Sequence, residues 1–243
     1  MPVYNTDTSA IAPFTGYTPE ANEFLTEIKY NNNTQWFNEN KQRFIDGLYE
    51  PTRSLIWALR DFFAQVDPQI DIEPKFGHAL VRMNRSTRYS NNKDPYKEDY
   101  WCRFSRKRGE ESQPEFYFWF NGDHYGYGMG YYAADRLVME RFREMIAEEP
   151  QRVREAFSPV PDAGADTRLE ICGDMYARDR SGGRFDGDPL LRDLYNRKNI
   201  HISSRADPCD EIFYSDKILG LLRGEFSRIT GAYRIMLTLQ TPK

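Results

Sequence analysis

Apolar residues recur at helical spacing through the first third of the chain. Thr18-Pro19-Glu20 combines an N-cap residue with a proline suited to the first helical position, and the apolar residues that follow predict a helix from about 19 to 30. The asparagines at 31–33 offer a cap to a second helix, and Pro51 separates that helix from a third. The apolar stripes of these two helices are Trp36, Phe37, Phe44, Ile45 and Leu48, and then Leu55, Ile56, Leu59, Phe62, Phe63 and Val66.

From Ala79 onward the pattern is typical of strands. Val81 and Met83 alternate with their neighbours, and residues 116–120 are all aromatic. Asn121-Gly122 then predicts a tight turn into a strand at 125–131, in which tyrosine and methionine alternate with glycine. The glycine face of that strand would admit a neighbouring backbone, a ligand or a packed helix.

Helical spacing returns at 135–148 and again from Ser215-Asp216, whereas the glycines and prolines of 158–189 indicate an irregular region. We therefore predict an α+β fold, a single domain with an antiparallel sheet packed against N-terminal and C-terminal helices. Residues 1–13 are expected to form a flexible N-terminal arm, and residues 14–243 to form the single domain.

Composition narrows the classes of partner. The 243-residue chain has a net charge of −4 and a pI near 5.6, which argues against general affinity for nucleic acid. Its three cysteines, Cys102, Cys172 and Cys209, lack the spacing of a disulfide framework or a zinc site, so a reducing cytoplasm is expected. The absence of a long apolar run and of a signal-like N-terminus argues against membrane insertion and secretion.

The strongest chemical signal is the basic segment, residues 82–97. It spaces five cations among aromatic and hydroxyl side chains, a combination suited to phosphate or carboxylate. On a regular strand Arg82 and Arg88 would share one face and Arg85 would point to the other. The candidate anion-binding residues are Arg82, Arg85, Arg88, Ser90, Lys93, Tyr96 and Lys97. Trp36 and Lys41 are candidates for the wall of the same pocket, although an aromatic residue at helical spacing is more often core.

The basic segment also has a structural interpretation. In that alternative its cations pair with carboxylates, and the protein is a non-catalytic interaction module. A nucleic-acid ligand is a third alternative, and it draws on a basic run predicted to lie in an exposed loop with Glu110 and Glu111: Arg103, Arg106, Lys107 and Arg108.

Asp186 and Asp188, with Asp179, are candidate ligands for a hard cation such as magnesium. The favoured alternative is that Asp186-Gly-Asp188-Pro189 forms a turn and a helix cap. The histidines lack metal-ligand spacing, and the chain has neither a nucleophile-elbow serine nor a phosphate-cradling glycine loop. The sequence therefore assigns neither a cofactor nor a reaction.

Three groups of residues together resemble the domain of unknown function 2461 family. They are Asn32-Asn33-Thr-Gln-Trp36-Phe37 with Lys41, the run from Arg82 to Lys97, and Gly128-Met-Gly130 with Phe185-Asp186-Gly-Asp188-Pro189. Ser86 stands where an aspartate is usual in that family, and Asn92 where an acidic residue is usual. The resemblance implies a mixed α/β domain in a cytosolic setting, and it brings no assigned activity.

Overall fold

The computed structural model of the chain describes residues 4, 7–86, 88, 91–107, 113–131 and 136–239. It has the predicted α+β class, with a seven-stranded antiparallel sheet. Helices come before, between and after the strands along the chain. The chain divides into two compact units. The first comprises Met1–Phe104, Tyr117–Gly126 and Ala206–Arg223, and the second comprises Ser105–Phe116, Tyr127–Arg205 and Gly224–Lys243.

The N-terminal helices follow the predicted apolar stripes, but they break at other residues. Asn33 caps the second helix as predicted, because its Oδ1 accepts a hydrogen bond of 2.9 Å from the Trp36 amide. Pro51 was predicted to separate two helices, and this is wrong: it lies in the first turn of a helix, where a missing N–H costs nothing. The helices are α1 (Pro19–Tyr30), α2 (Thr34–Glu39), α3 (Lys41–Phe44), a π-helical turn (Ile45–Tyr49), α4 (Glu50–Ala58) and α5 (Arg60–Val66).

The strands are β1 (Ile70–Asp71), β2 (Tyr100–Arg106), β3 (Pro114–Phe120), β4 (His124–Tyr131), β5 (Leu169–Cys172), β6 (His201–Ser204) and β7 (Asp207–Pro208). Their order in the sheet is β1-β2-β3-β4-β6-β5, and β7 pairs with β4. The predicted turn between β3 and β4 is confirmed: the Asn121 side chain accepts hydrogen bonds from the amides of Asp123 and His124, at 2.9 and 2.8 Å. Arg103 and Arg106 lie in β2, so the predicted exposed basic loop is wrong for these two residues.

The predicted packing of helices on the sheet is confirmed within each unit. In the first unit, Phe63 of α5 stacks on Phe104 of β2, with ring centroids 4.1 Å apart. In the second unit, Phe226 packs against Phe116 of β3, with ring centroids 5.3 Å apart. Phe226 belongs to α9 (Lys217–Thr238), and the other helices after the sheet hairpin are α6 (Arg136–Glu148), α7 (Pro150–Phe157), a 3₁₀ turn (Pro161–Asp166) and α8 (Pro189–Tyr195).

None of the helices in the described part of the chain combines the length and the apolar composition that crossing a bilayer requires. The three cysteines are free thiols. Cys102 is buried in β2, and burial raises its pKa. Burial also raises the pKa of Cys209, to about 11, although the amide of Asn22 donates a hydrogen bond of 3.2 Å to its Sγ. A thiol with a raised pKa is a poor nucleophile at neutral pH.

Gly130 of β4 lies unusually close to the paired strand β6. Gly130 lies opposite His201 of β6, and a Cβ added to Gly130 would lie 2.5 Å from the Cβ of His201 and 2.9 Å from its Cα. Real Cβ atoms do not approach so closely. Glycine at this position therefore sets the spacing between β4 and β6.

Replacing Gly130 with alanine should destabilise the protein by about 1–3 kcal/mol, because backbone atoms must move to accept the methyl group. Gly220→Ala in α9 is a control of opposite sign: no atom lies within 4 Å of its added Cβ, and a helical alanine is favoured over glycine by about 0.5–1 kcal/mol. Denaturant-induced unfolding measures both changes. A Gly130→Ala protein as stable as the wild type would contradict the close pairing of β4 with β6.

Candidate functional site

The basic segment is a short, irregular antiparallel pairing rather than a regular strand. Asn84 and Tyr96 form an isolated bridge. The amide of Arg85 donates to the carbonyl of Pro95 at 2.8 Å, and the amide of Lys97 donates to the carbonyl of Met83 at 2.9 Å. The strict alternation of faces expected for a strand therefore does not apply, and Arg85 and Lys97 lie on adjacent chain stretches.

Two residues of the helical region fix this pairing through Tyr96. The side-chain amide of Asn32 binds both backbone groups of Tyr96: Nδ2 donates to the carbonyl at 3.1 Å, and Oδ1 accepts from the amide at 3.0 Å. The ring of Phe37 stacks on the Tyr96 ring, with centroids 4.2 Å apart and an interplanar angle of 12°. Tyr96 is only 5% exposed, so its main visible role is to anchor the segment.

The side chains of Arg85 and Lys97 each donate a hydrogen bond to a backbone carbonyl oxygen of the basic segment. Nε of Arg85 donates to the Tyr96 carbonyl at 3.3 Å, and Nζ of Lys97 donates to the Arg82 carbonyl at 2.7 Å. Among the described residues, no carboxylate forms an ion pair with Arg82, Arg85 or Lys97. Within the same range, nothing accepts a hydrogen bond from either Nη atom of Arg85.

The electrostatic surroundings of Lys97 disfavour its charged form. Burial is the largest cause of its lowered pKa. Asp99 opposes the effect, whereas Arg85 and Arg103 lower the pKa of Lys97 further. A half-buried ammonium group close to two guanidinium groups would be stabilised by a bound anion.

Lys41 contacts Tyr4, a residue of the N-terminal arm. Its Nζ lies 4.9 Å from the centroid of the Tyr4 ring, which packs on Tyr49 with centroids 4.9 Å apart. Burial and the neighbouring Tyr96 raise the pKa of Tyr4, and Arg82 opposes them, so Tyr4 lies within electrostatic range of the basic segment. Lys41 and Arg82 therefore both interact with Tyr4, and the place of Lys41 in a pocket wall stays a prediction.

The other candidates are placed less favourably for binding an anion. Trp36 packs on Phe24, with ring centroids 5.3 Å apart, and it is Phe37 that contacts the basic segment. Arg88 and Lys93 are exposed and already have interaction partners. Ser90 lies outside the described residues.

Asp188 is the helix cap that was favoured over a metal ligand. Its Oδ1 accepts from the Leu191 amide at 3.1 Å, and its Oδ2 lies 2.7 Å from Nη1 of Arg154. Asp186 is 3.8 Å from Nη1 of Arg192. The described residues contain no group of three or more histidine, cysteine, aspartate or glutamate side chains able to hold a metal ion. The geometry of Asp186 and Asp188 therefore adds no support for a cation site.

Asp179 has a structural role in the same loop. It accepts hydrogen bonds from the Ser181 amide at 2.7 Å, from Nδ2 of Asn196 at 3.0 Å and from Nε of Arg192 at 2.8 Å. The bonds from Ser181, followed by those from Asn196 and Arg192, hold the pKa of Asp179 well below its usual range. This carboxylate fixes the loop and has little remaining capacity for a metal ion.

Sequence reasoning missed the roles of Asn32 and Arg103 at this site. Asn32 belongs to a run of asparagines that indicates only a helix cap, and its hydrogen-bond partner lies 64 residues away. Arg103 was placed in a loop, because β2 carries too many polar residues to be recognised as a strand. In β2 the buried side chains are Tyr100, Cys102 and Phe104, and Arg103 projects from the other face.

These features define an α+β protein whose basic segment is anchored by Asn32 and Phe37 and includes three cations, Arg82, Arg85 and Lys97, that form no ion pair with a described carboxylate. The chain belongs to the family described as conserved hypothetical protein (DUF2461), whose model matches residues 20–233. Comparison with curated proteins and with solved structures gave no match. Family membership confirms the resemblance and leaves the function to be inferred from the geometry.

The anchor makes a stability prediction. Asn32→Ala should cost about 1–3 kcal/mol, because it leaves the Tyr96 N–H and C=O without their side-chain partner. The neighbouring Asn31 is exposed, and among the described residues its side chain bonds only the Glu27 carbonyl of the preceding helix, so Asn31→Ala should change stability by less than about 0.5 kcal/mol. Urea unfolding of both variants measures the difference. Equal stabilities would contradict the anchoring role of Asn32.

Proposed function

We propose that this protein binds a small anionic ligand, through a phosphate or carboxylate group, at Arg82, Arg85 and Lys97. One observation supports this role most directly: Lys97 is half-buried close enough to Arg85 for that guanidinium to lower its pKa, and within the described residues neither Arg85 nor Lys97 has a carboxylate ion-pair partner. An anion at this position would supply the missing charge.

The ion pairs formed by other arginines in the same unit favour ligand binding by the basic segment over a structural salt-bridge network. Arg43 pairs with Glu27 at 2.8 Å, and the buried Arg53 pairs with Glu50 at 2.7 Å. A structural salt-bridge network would give Arg85 a comparable partner. Within the described part of the chain it has none, which favours a ligand as the partner.

The shape of the groups suits an oxyanion. The Nε–Tyr96 bond orients the guanidinium of Arg85, so that its two Nη atoms present parallel N–H groups of the kind that bind phosphate or carboxylate in a bidentate manner. Lys97 adds a point charge. The net charge of −4 argues against nucleic acid as the ligand, and the three free thiols support a cytoplasmic location as part of the proposal.

Isothermal titration with inorganic phosphate, pyrophosphate and citrate tests the site and identifies its preferred class. Arg85→Gln and Lys97→Gln should each weaken binding about tenfold or more, since a hydrogen bond to a charged group contributes about 1.5–3 kcal/mol. Lys29→Gln removes the same charge from an exposed position on α1 and should change affinity less than twofold.

Two results would overturn the proposed site. One is a wild-type protein that binds none of the three anions. The other is an Arg85→Gln or Lys97→Gln variant that keeps the wild-type affinity. Unfolding curves of each variant establish that it is folded before its affinity is interpreted.

The lowered pKa of Lys97 predicts a pH dependence. Between this lowered value and the ordinary value of about 10.4, the unfolded chain holds the proton more tightly, so the stability of the ligand-free protein rises with pH. An anion favours charged Lys97, so its stabilising effect should fall as pH rises through the lowered pKa. Sulfate keeps a constant charge from pH 7 to about 10 and is the appropriate probe.

The measurement is the sulfate-induced shift in melting temperature across this pH range. Sulfate also stabilises proteins generally, and the Lys97→Gln variant isolates that general effect. The excess shift of the wild type over the variant should decline with pH. Equal shifts for the wild type and the variant at every pH would show that Lys97 does not bind the anion.

A further inference from the structure

A second group of cations surrounds Tyr176 in the irregular stretch between β5 and α8, within the second unit. The guanidinium carbons of Arg180 and Arg143 lie 4.5 and 5.6 Å from the centroid of the Tyr176 ring, and Nζ of Lys198 lies 5.7 Å from it. These distances are in the range of cation–π contacts. We refer to these four residues as the Tyr176 cluster.

Backbone contacts hold the members of the cluster in place. The amides of Tyr176 and Arg180 donate to the backbone oxygen and the Oδ1 of Asn196, at 2.9 and 2.7 Å. The Lys198 amide donates to the carbonyl of Asp174 at 2.7 Å, and Nη1 of Arg143 donates to the carbonyl of Arg197 at 3.1 Å. The cluster is therefore built by the fold.

The cations of the cluster differ from their neighbours, because no described carboxylate forms an ion pair with them. Arg136 pairs with Glu140 at 2.8 Å, Arg192 with Asp179 at 2.8 Å, and Arg197 with Asp193 at 2.7 Å. Over the described ranges of the chain, no comparable ion pair involves any cation of the Tyr176 cluster. Three positive charges therefore share one ring, and none of them has an ion-pair partner among the described carboxylates.

The cluster borders a cavity of about 380 Å³, lined by Arg136, Glu140, Arg143, Tyr176 and Arg180. This volume lies in the range of small-molecule sites. Glu140, the acidic residue of the lining, is already bound to Arg136, so the lining has a positive excess.

An adjoining cavity of about 380 Å³ shares Glu140, Arg143 and Arg180 with the first and adds Glu144, Glu148 and Arg184. The two additional carboxylates would repel a second anionic group. A ligand that extends from the cluster into this space should therefore present hydroxyl groups there, which can donate hydrogen bonds to carboxylates.

We propose that the Tyr176 cluster binds the phosphate group of a small hydroxylated phosphate ester, such as a polyol or sugar phosphate. Arg143 and Arg180 hold the phosphate with their planar forks, and Lys198 adds a third positive charge. The hydroxylated remainder lies toward Glu144 and Glu148. All of these residues belong to the second unit, so the site does not depend on the basic segment.

The test is calorimetric titration with glycerol 3-phosphate in an Arg85→Gln background, which removes the contribution of the first proposed site. Salt is kept at about 0.15 M to screen distant charges. Arg180→Gln in this background should weaken binding about tenfold or more. The side chain of Arg180 is exposed and binds no described hydrogen-bond acceptor, so this variant should fold normally.

Arg178→Gln is the matched control: it removes the same charge from an exposed position two residues away, with no described contact to the Tyr176 ring. It should change affinity less than twofold. Arg143→Gln, which also loses the bond to the Arg197 carbonyl, should weaken binding as Arg180→Gln does.

Three results would overturn the inference. If glycerol 3-phosphate does not bind to the Arg85→Gln protein, the proposed site is excluded. Equal affinity of the Arg180→Gln and Arg178→Gln variants would show that binding occurs elsewhere. If citrate binds more tightly than glycerol 3-phosphate, and if this binding depends on Arg180, the choice of phosphate over carboxylate is wrong. None of these outcomes affects the proposal for Arg82, Arg85 and Lys97, which is tested by its own variants.

Discussion

Backbone N–H and C=O groups in irregular segments must find hydrogen-bond partners outside a regular ladder, and asparagine side chains meet this requirement throughout the molecule. Asn32 binds both backbone groups of Tyr96 and so fixes the basic segment. In the second unit, Asn196 accepts from the Arg180 amide, and Asn199 accepts from the Asp174 amide at 3.0 Å. The positions of both sets of cations therefore follow from a few buried or half-buried amides. Without those amides the same arginines would lie on segments free to move, and they could not form a preorganised site.

The elements predicted correctly from the sequence are those whose signals are local. A proline-initiated helix near residue 19, an Asn-Gly turn and the long apolar stripe of α9 each need only a few neighbouring residues to specify them. Failures occurred where tertiary contacts decide the structure. β2 contains two arginines and a serine beside its apolar residues, and it becomes a strand because Phe63 and other apolar side chains cover one of its faces. Pro51 looked like a helix terminator, although proline is acceptable within a first turn.

The same difference between local sequence signals and tertiary contacts applies to the candidate sites. The basic segment could be recognised as an anion-binding candidate because its cations are close in sequence, but its geometry depends on Asn32, 64 residues away. The Tyr176 cluster could not be recognised at all. Its cations come from α6, from an irregular loop and from the turn after α8, and they meet only because hydrogen bonds over separations of 16 to 54 residues bring them together.

A cation without a carboxylate partner costs little stability where it is partly exposed, and this bears on why Arg85 forms no ion pair within the described part of the chain. A solvent-exposed ion pair contributes about 0–1 kcal/mol, so giving Arg85 a carboxylate partner would add little to folding. The same carboxylate would occupy the N–H groups that an oxyanion needs. Lys97 differs from a fully exposed cation, because burial and the nearby Arg85 both lower its pKa and so disfavour its charged form. By linkage, an anion that favours protonated Lys97 must bind more tightly when that proton is present. Under the proposed function, the burial that disfavours charged Lys97 in the free protein is a cost that a bound anion would offset.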